Sequence, residues 1–428
     1  MEKVNKLADV YGTSRNIPLT YVNRSEVDDR FLNDITRDKH IVIHGSSKQG
    51  KTCLRKHHLN KDDYIVINCT RDTSKASVYE MILKKANISC SVTDTRTVKG
   101  TMKVKATLGG KGGIPLFAEA KTEGSFEGGR DTESQSEHKS FEIDIEDVND
   151  IIRTLKEAGF SKFIVIEDFH YLDEDVQHSL SFDLKTFYDE SDFVFIVVGV
   201  WLENNKLIMY NGDLDDRTTT IPADTWSPDK LAEVASAGEP LLNITIEENE
   251  KKTAVNLCRG NVGLLQEICY RLCEKHNVWK TQDKHKEVGE QGDVEKIIRE
   301  IAKSKEARYK NFTLKFTEGL NDTKLQIYKW IMFCVVNEPL EKVYLGLSLR
   351  ELFRIIKDIH PEKDSLQRTT LTQGLERIDK VQHKHKLQPR IFTYSNEILK
   401  VVDPNFFVFL ESVIKEDLLE EMELSGYA

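Results

Sequence analysis

The chain has 428 residues, 39% of them hydrophobic and 31% charged, and a formal net charge of −10. Such a length suggests two or three domains around a sizeable core, and the negative balance argues against a surface coated for nucleic acid, leaving only a local basic patch for that role. No apolar run approaches the ~18 residues a bilayer span needs. The longest, residues 193–202, reads as a strand, residues 1–12 lack the apolar centre of a signal peptide, and the seven cysteines contain no C-x-x-C pair, so free thiols in a reducing, cytoplasmic compartment are expected.

In chain order, residues 21–27 precede Phe31, Leu32 and Ile35, which are spaced as one apolar helix face. Residues 41–43 then read as a short buried strand. It runs into Gly45-Ser46-Ser47-Lys48-Gln49-Gly50-Lys51-Thr52, which fits G-x-x-x-x-G-K-[ST] at every fixed position, and Cys53, Leu54 and a basic run look like a helix. The chemistry needs this order. Glycines let successive backbone N–H groups turn inward around a phosphate, and the helix N-terminus adds unpaired N–H groups and the positive end of its dipole. Lys51 would reach the β- and γ-phosphates, and the Thr52 hydroxyl would bind Mg²⁺. A second buried strand follows over residues 64–68 and a helix over 77–86.

Residues 87–143 break the rhythm. Residues 98–108 and 116–126 partly alternate and flank Gly109-Gly110-Lys111-Gly112-Gly113, which suggests a glycine-rich hairpin inserted in the core. A partner-binding arm and a solvated excursion are equally compatible with it. Residues 145–159 form the next helix, with Val148, Ile151, Ile152 and Leu155 on one face. The strand over residues 163–168 ends in Glu167 and Asp168. One acid would hold the Mg²⁺ shell while the other orients or polarises the attacking water. A helix over 179–187 and a strand over 193–200 complete an alternation that predicts an α/β fold with a parallel sheet, its phosphate loop at a strand's carboxyl end, where such sheets bind ligands.

Beyond a turn at 211–216 come Arg217 and residues 218–221. Helices are expected over 227–237 and through 244–270, the latter interrupted by Arg259-Gly260-Asn261-Val262-Gly263. Cys269, Cys273 and His276 share a helical spacing that suits either part of a metal site or small packed residues, with no fourth ligand nearby. A polar stretch over 281–294 and a helix over 296–313 lead to helices at 325–336, 348–356 and 365–381, where Ser348 and Glu351 have capping-box spacing. Residues 391–394 and 398–402 then read as a hairpin, giving the layout of a winged-helix module. Residues 365–390 carry six Lys or Arg against two acids, including Arg368, Arg377 and Lys380, which suits either a DNA-reading helix or protein contacts. The acidic stretch 416–423 is expected to be solvated. The predicted organisation is a P-loop core over 1–225 with the 87–143 insertion, a helical lid over 226–280, a linker and helix over 281–323, and a winged-helix domain over 324–428.

These motifs, together with the run IVIEDFHYL at residues 164–172, the GDLDDR segment at 212–217 and the GNVGLLQ segment at 260–266, resemble the AAA+/STAND superfamily of P-loop ATPases, in the origin-recognition flavour with a C-terminal winged helix. The resemblance implies adenine contacts at Val22, Asn23 and Arg24, phosphate contacts along Gly45 to Cys53, and a lid loop at Gly260, Asn261, Val262 and Gly263 that senses the nucleotide. It implies Arg217 as a finger acting across a subunit boundary, and catalysis by Lys51, Glu167 and Asp168 with ATP and Mg²⁺. Three departures stand out: the family's acid pair usually begins with Asp, where this chain has Glu167; the fourth strand ends in Gly199-Val200-Trp201, without an obvious polar sensor; and the lid segment lacks the usual sensor arginine, although Arg259 is adjacent. The implied function is a slowly hydrolysing switch ATPase that oligomerises and governs a separate effector or a nucleic-acid transaction, as in bacterial anti-phage defence. A winged-helix DNA-binding initiator or loader, and a scaffold that binds nucleotide without catalysis, are the competing readings.

Overall fold

The computed structural model describes residues 4–13, 16–92, 103–108, 140–201, 206–224, 226–320, 324–387 and 390–427. Its first eight strands are β1 (His40–His44), β2 (Tyr64–Asn68), β3 (Ile88–Val92), β4 (Lys103–Leu108), β5 (Ser140–Asp144), β6 (Phe163–Glu167), β7 (Phe195–Val198) and β8 (Thr218–Pro222). Five of them form a wholly parallel sheet in the order β2-β6-β7-β1-β8, as expected from the alternation of strands and helices. β1 and β7 are buried at every position, because helices cover both faces and near-continuous Val and Ile runs are what such strands need. Both ends of β1 are buried histidines, and His40 is accommodated by its ring, which bonds the Leu184 carbonyl at 2.8 Å and accepts from the Phe195 N–H at 3.2 Å, while burial pushes its pKa down to about 4.

Sequence and structure differ in places. The helical entry before β1 runs over Ser25–Asp29 and Arg30–Asp34. Val27 and Phe31 are fully buried on it, whereas Leu32 is turned to solvent, so the apolar face is narrower than the spacing suggested. The helix Glu174–Glu190 extends well past both expected ends. In the insertion, β4 pairs antiparallel with both β3 and β5, so the described part of the first hairpin arm lies between strands that flank it in sequence. Ile88, Val104, Ala106 and Ile143 join the same core as the helix Lys75–Lys85. The glycine run and the second arm fall outside the described residues.

The region expected to form a lid holds helices Pro228–Leu242, Glu248–Leu257 and Val262–Lys275 and a small parallel pair, β9 (Ile244–Ile246) with β10 (Lys286–Val288), the latter inside the stretch expected to be linker. The helix Asp293–Glu318 spans about 39 Å at ~1.5 Å per residue. Its first half buries Val294, Ile297 and Ile301 in the lid core, and its second half buries Tyr309, Phe312 and Phe316 in the C-terminal core. The C-terminal region holds helices Ile327–Asn337, Leu349–Ile359, Arg368–Glu376 and Ile378–Lys384, the expected third helix being split in two. Ser348 and Glu351 form a complete capping box. The expected hairpin pairs β12 (Phe392–Ser395) with β13 (Ile398–Val401), and the short β11 (Leu347–Ser348) adds to β13. The acidic terminus is a short helix, Lys415–Glu421, with Leu418 and Leu419 buried, so only one of its faces is solvated. No described helix is long and apolar enough to cross a membrane.

Candidate functional site

From the carboxyl end of β1 the chain turns through Gly45 at φ +139° and enters the helix Lys51–His58 through Gly50 at φ +82°. Gly50 is in the left-handed region that favours glycine. At Gly45 a side chain would also meet Asp224, whose Oδ1 lies 2.8 Å from the ideal Cβ position. That carboxylate anchors the loop: it accepts from the Ser46 N–H at 2.8 and 2.9 Å and from the Ser46 hydroxyl at 3.1 Å. Asp224 follows β8, 178 residues from Ser46, and no local motif in the sequence marked it.

Lys51 is buried and its ammonium donates to the carbonyls of Gly45 at 3.0 Å and Ser46 at 2.5 Å. Burial pushes its pKa down to about 8, against the pull of Asp224, Glu167 and Asp168. A cation held so far below its ordinary value is one that a bound anion would stabilise.

Glu167 closes β6. Its Oε2 lies 3.5 Å from the Thr52 hydroxyl, while Oε1 accepts from Arg55 Nη2 at 2.9 Å and Nε at 3.3 Å. Asp168 stands just beyond the strand at φ 59°, a left-handed conformation that costs a residue with a Cβ about 1 kcal/mol. Burial and then the charge of Glu167 raise its carboxyl pKa, with Lys51 opposing, the direction that makes a carboxylate a better proton acceptor. Thr52, Glu167 and Asp168 offer the hard oxygens that Mg²⁺ takes, and the approach of Thr52 Oγ1 to Glu167 Oε2 fits such a site. The cysteine trio does not make one. His276 bonds Asp293 at 2.8 Å and Cys269 and Cys273 lie in the lid core; among the described residues no cluster of three or more His, Cys, Asp or Glu is arranged for a metal.

The lid loop sits directly on the phosphate loop. Asn261 caps its helix through the Leu264 N–H at 2.7 Å and donates from Nδ2 to the Ser47 carbonyl at 3.0 Å. The Gly263 N–H donates to the Lys48 carbonyl at 3.2 Å, and Gln49 Nε2 donates to the Gly260 carbonyl at 3.2 Å. Val262 is buried in the lid core. Of the residues expected to contact adenine, Val22 is buried in that same core, Asn23 is exposed, and Arg24 donates to the Ala223 carbonyl at 2.7 Å with its guanidinium 4.0 Å over Trp226. Cys53 is half-buried, and burial raises its thiol pKa.

Arg217 does not join this site. It precedes β8 at the amino end of the sheet, its carbonyl accepting from the His40 N–H at 3.0 Å, so the length of β1, about 16 Å, separates it from the chain's own phosphate loop. Its Nε bonds Asp189 at 2.8 Å and its Nη1 bonds the Asp213 carbonyl at 2.6 Å. A polar group does reach the chain just after β7, the strand expected to lack one: His170, whose Nδ1 accepts from the Val200 N–H at 3.2 Å. Burial, then Arg390 and Lys51, push its pKa down to about 2, so its ring is neutral.

The C-terminal region reaches both flanks of the site. Arg259, at φ 47° immediately before the lid loop, bonds Glu411 at 3.2 Å, and its carbonyl accepts from the Tyr344 hydroxyl at 3.0 Å. Arg390 donates to the His170 carbonyl at 3.4 Å, and Arg71 donates to the His383 and Leu387 carbonyls at 3.4 and 3.2 Å. A cleft of about 320 Å³ lies along this second seam, between Tyr171 and Lys206 on the core side and Lys380 and Lys384 on the other.

Residues 35–206 match the AAA domain family. No curated protein matches the chain. Among solved structures it is similar to a Walker-type ATPase of Pyrococcus abyssi, at 14% identity and TM-score 0.48 over 92% of this chain and 99% of that one. It is similar also to the Orc1 protein of Aeropyrum pernix in complex with DNA, at 9% identity and TM-score 0.45 over 98% of each chain, and to Cdc6p from Pyrobaculum aerophilum, at 13% identity and TM-score 0.39 over 96% and 98%.

Proposed function

We propose that this chain, whose residues 35–206 match the AAA domain family, is an ATP-binding, slowly hydrolysing switch whose C-terminal domain reads the nucleotide through the lid. The observation that carries this reading is Arg259. One turn of chain ties the C-terminal domain, through Tyr344 and Glu411, to Gly260, Asn261 and Gly263, which bond the phosphate loop at residues 47–49. Occupancy of the loop and placement of the C-terminal domain then bias one another, as linkage requires.

In this reading the N–H groups from Gly45 to Cys53 hold the phosphates, that of Ser46 only on release from Asp224, and Lys51 leaves the Gly45 and Ser46 carbonyls to bind them. Val22, Asn23 and Arg24 border the adenine. Thr52 and Glu167 hold Mg²⁺, which when bound neutralises phosphate charge. Asp168, its pKa raised, takes the proton of the attacking water. Assembly belongs to the proposal too: Arg217, remote from its own loop, would serve a neighbour's after release from Asp189. The separate effector and the defence setting are carried with it. The basic stretch supports protein contact over DNA reading: Arg368 pairs with Glu397 at 3.2 Å, Arg390 with Asp379 at 3.3 Å, and Lys384 bonds the Gly319 carbonyl at 3.3 Å. We therefore assign the C-terminal winged helix to docking.

Four variants test the scheme together. Lys51→Ala should lose ATP binding. Asp168→Asn should bind ATP and lose turnover, because an amide cannot take the proton, and Glu167→Gln should weaken the Mg²⁺ dependence. Arg217→Ala should bind ATP as the parent does, yet lose the rise in ATPase rate per subunit with protein concentration. A parent rate per subunit that is constant on dilution would remove the shared site, and turnover unaffected by both Lys51→Ala and Asp168→Asn would remove the active-site assignment.

A further inference from the structure

Glu167 stands where the family usually has aspartate, and a side chain one methylene longer has an additional rotatable bond at the position that must meet the metal shell. The structure shows what restrains it. Arg55 directs both Nη2 and Nε to the same carboxylate oxygen, Oε1, at 2.9 and 3.3 Å, so Oε2 is left to face the Thr52 hydroxyl at 3.5 Å. The pair is shielded from water, with 3% of the arginine side chain and 9% of the glutamate side chain exposed. The Tyr64 ring lies 4.5 Å beneath the guanidinium and fixes its plane. Arg55 is also three residues beyond Thr52 on the helix Lys51–His58, so hydroxyl and guanidinium share one helix face and move as a unit.

We propose that Arg55 is a positioning residue, which pins Glu167 by one oxygen so that only the other serves the magnesium site beside Thr52, and that the Arg55–Glu167 pair does in this chain what a shorter aspartate does alone. The inference rests on the nucleotide-site reading above. A planar fork is suited to the task, since a guanidinium stays charged and holds a carboxylate in a fixed geometry, whereas an ammonium is a point charge on a flexible stem. Groups that orient a metal-binding residue typically change metal affinity by about 10- to 100-fold when removed.

The test is calorimetric titration of the full chain with ATP, once in excess EDTA and once in excess MgCl₂. The ratio of the two dissociation constants isolates the magnesium-dependent gain. Arg55→Gln should lower that ratio about tenfold and leave the affinity in EDTA within about twofold. Arg55→Lys should lower it less. The double variant Arg55→Gln with Glu167→Gln should be no worse than Glu167→Gln alone, because residues acting through one contact are not additive. An unchanged or increased ratio in Arg55→Gln, equal losses in EDTA and MgCl₂, or additive losses in the double variant overturns the proposal. If Arg55→Gln does not fold, Arg55→Lys decides: a reduced ratio supports the pairing and a parental ratio overturns it. A parent chain that binds no ATP in either solution overturns the nucleotide site itself, and the role of Arg55 with it.

Discussion

Lys51 links the free site to a pH dependence whose sign is fixed by its surroundings. In the free protein burial holds its pKa near 8, and a phosphate in the loop would raise it, because an opposite charge favours the protonated form. Binding therefore takes up a proton wherever the free lysine is neutral. ATP affinity should be level below pH 8 and fall by about tenfold per pH unit above it, and Lys51→Met, with nothing to protonate, should show weak binding without this slope. Titrations from pH 6.5 to 9.5 check it; an affinity flat to pH 9.5 would mean that Lys51 is already stabilised by other groups. The motif disclosed Lys51, Thr52 and the glycines, because a phosphate loop is a local object. Asp224 and Arg55 were not legible, because their roles come from strand order. β8 lies beside β1 in the sheet and brings Asp224 to Ser46, while the place of β6 in the same sheet aims Glu167 at Arg55.

At the scale of elements, the first turn of the helix Val262–Lys275 lies against the phosphate loop so closely that glycine is required. A Cβ on Gly263 would stand 2.6 Å from Lys48 Cβ and 2.9 Å from the Lys48 carbonyl oxygen. In an open helix Gly→Ala stabilises by about 1 kcal/mol, whereas here the backbone carbonyl must move, and overpacking of this kind costs about 1–3 kcal/mol. Gly263→Ala should therefore destabilise the chain in urea unfolding and weaken ATP binding as the lid lifts from Lys48. Stabilisation instead would show that the lid is not seated there. The break between the two lid helices was readable from Gly260 and Gly263. The pairing of β9 with β10 was not, since three-residue strands of mixed polarity leave almost no periodicity to detect.

The whole molecule is organised by one continuous helix, Asp293–Glu318, whose two halves belong to different cores. The helix and the helices-then-hairpin layout that follows it are legible in the sequence, because both are carried by local periodicity and capping. The folding of the C-terminal region back on both flanks of the site is not, because contacts such as Arg259 with Glu411 join residues 152 positions apart. Those contacts make the central claim measurable. Amide hydrogen exchange should be followed for residues 45–52, 257–263 and 340–346 in the free, ADP-bound and ATP-bound chain, and in Lys51→Ala. A nucleotide switch predicts that ATP alters protection in all three segments together, that ADP gives a different pattern in 340–346, and that Lys51→Ala abolishes every change. Protection that changes in the phosphate loop alone, with 340–346 indifferent to nucleotide, would contradict it.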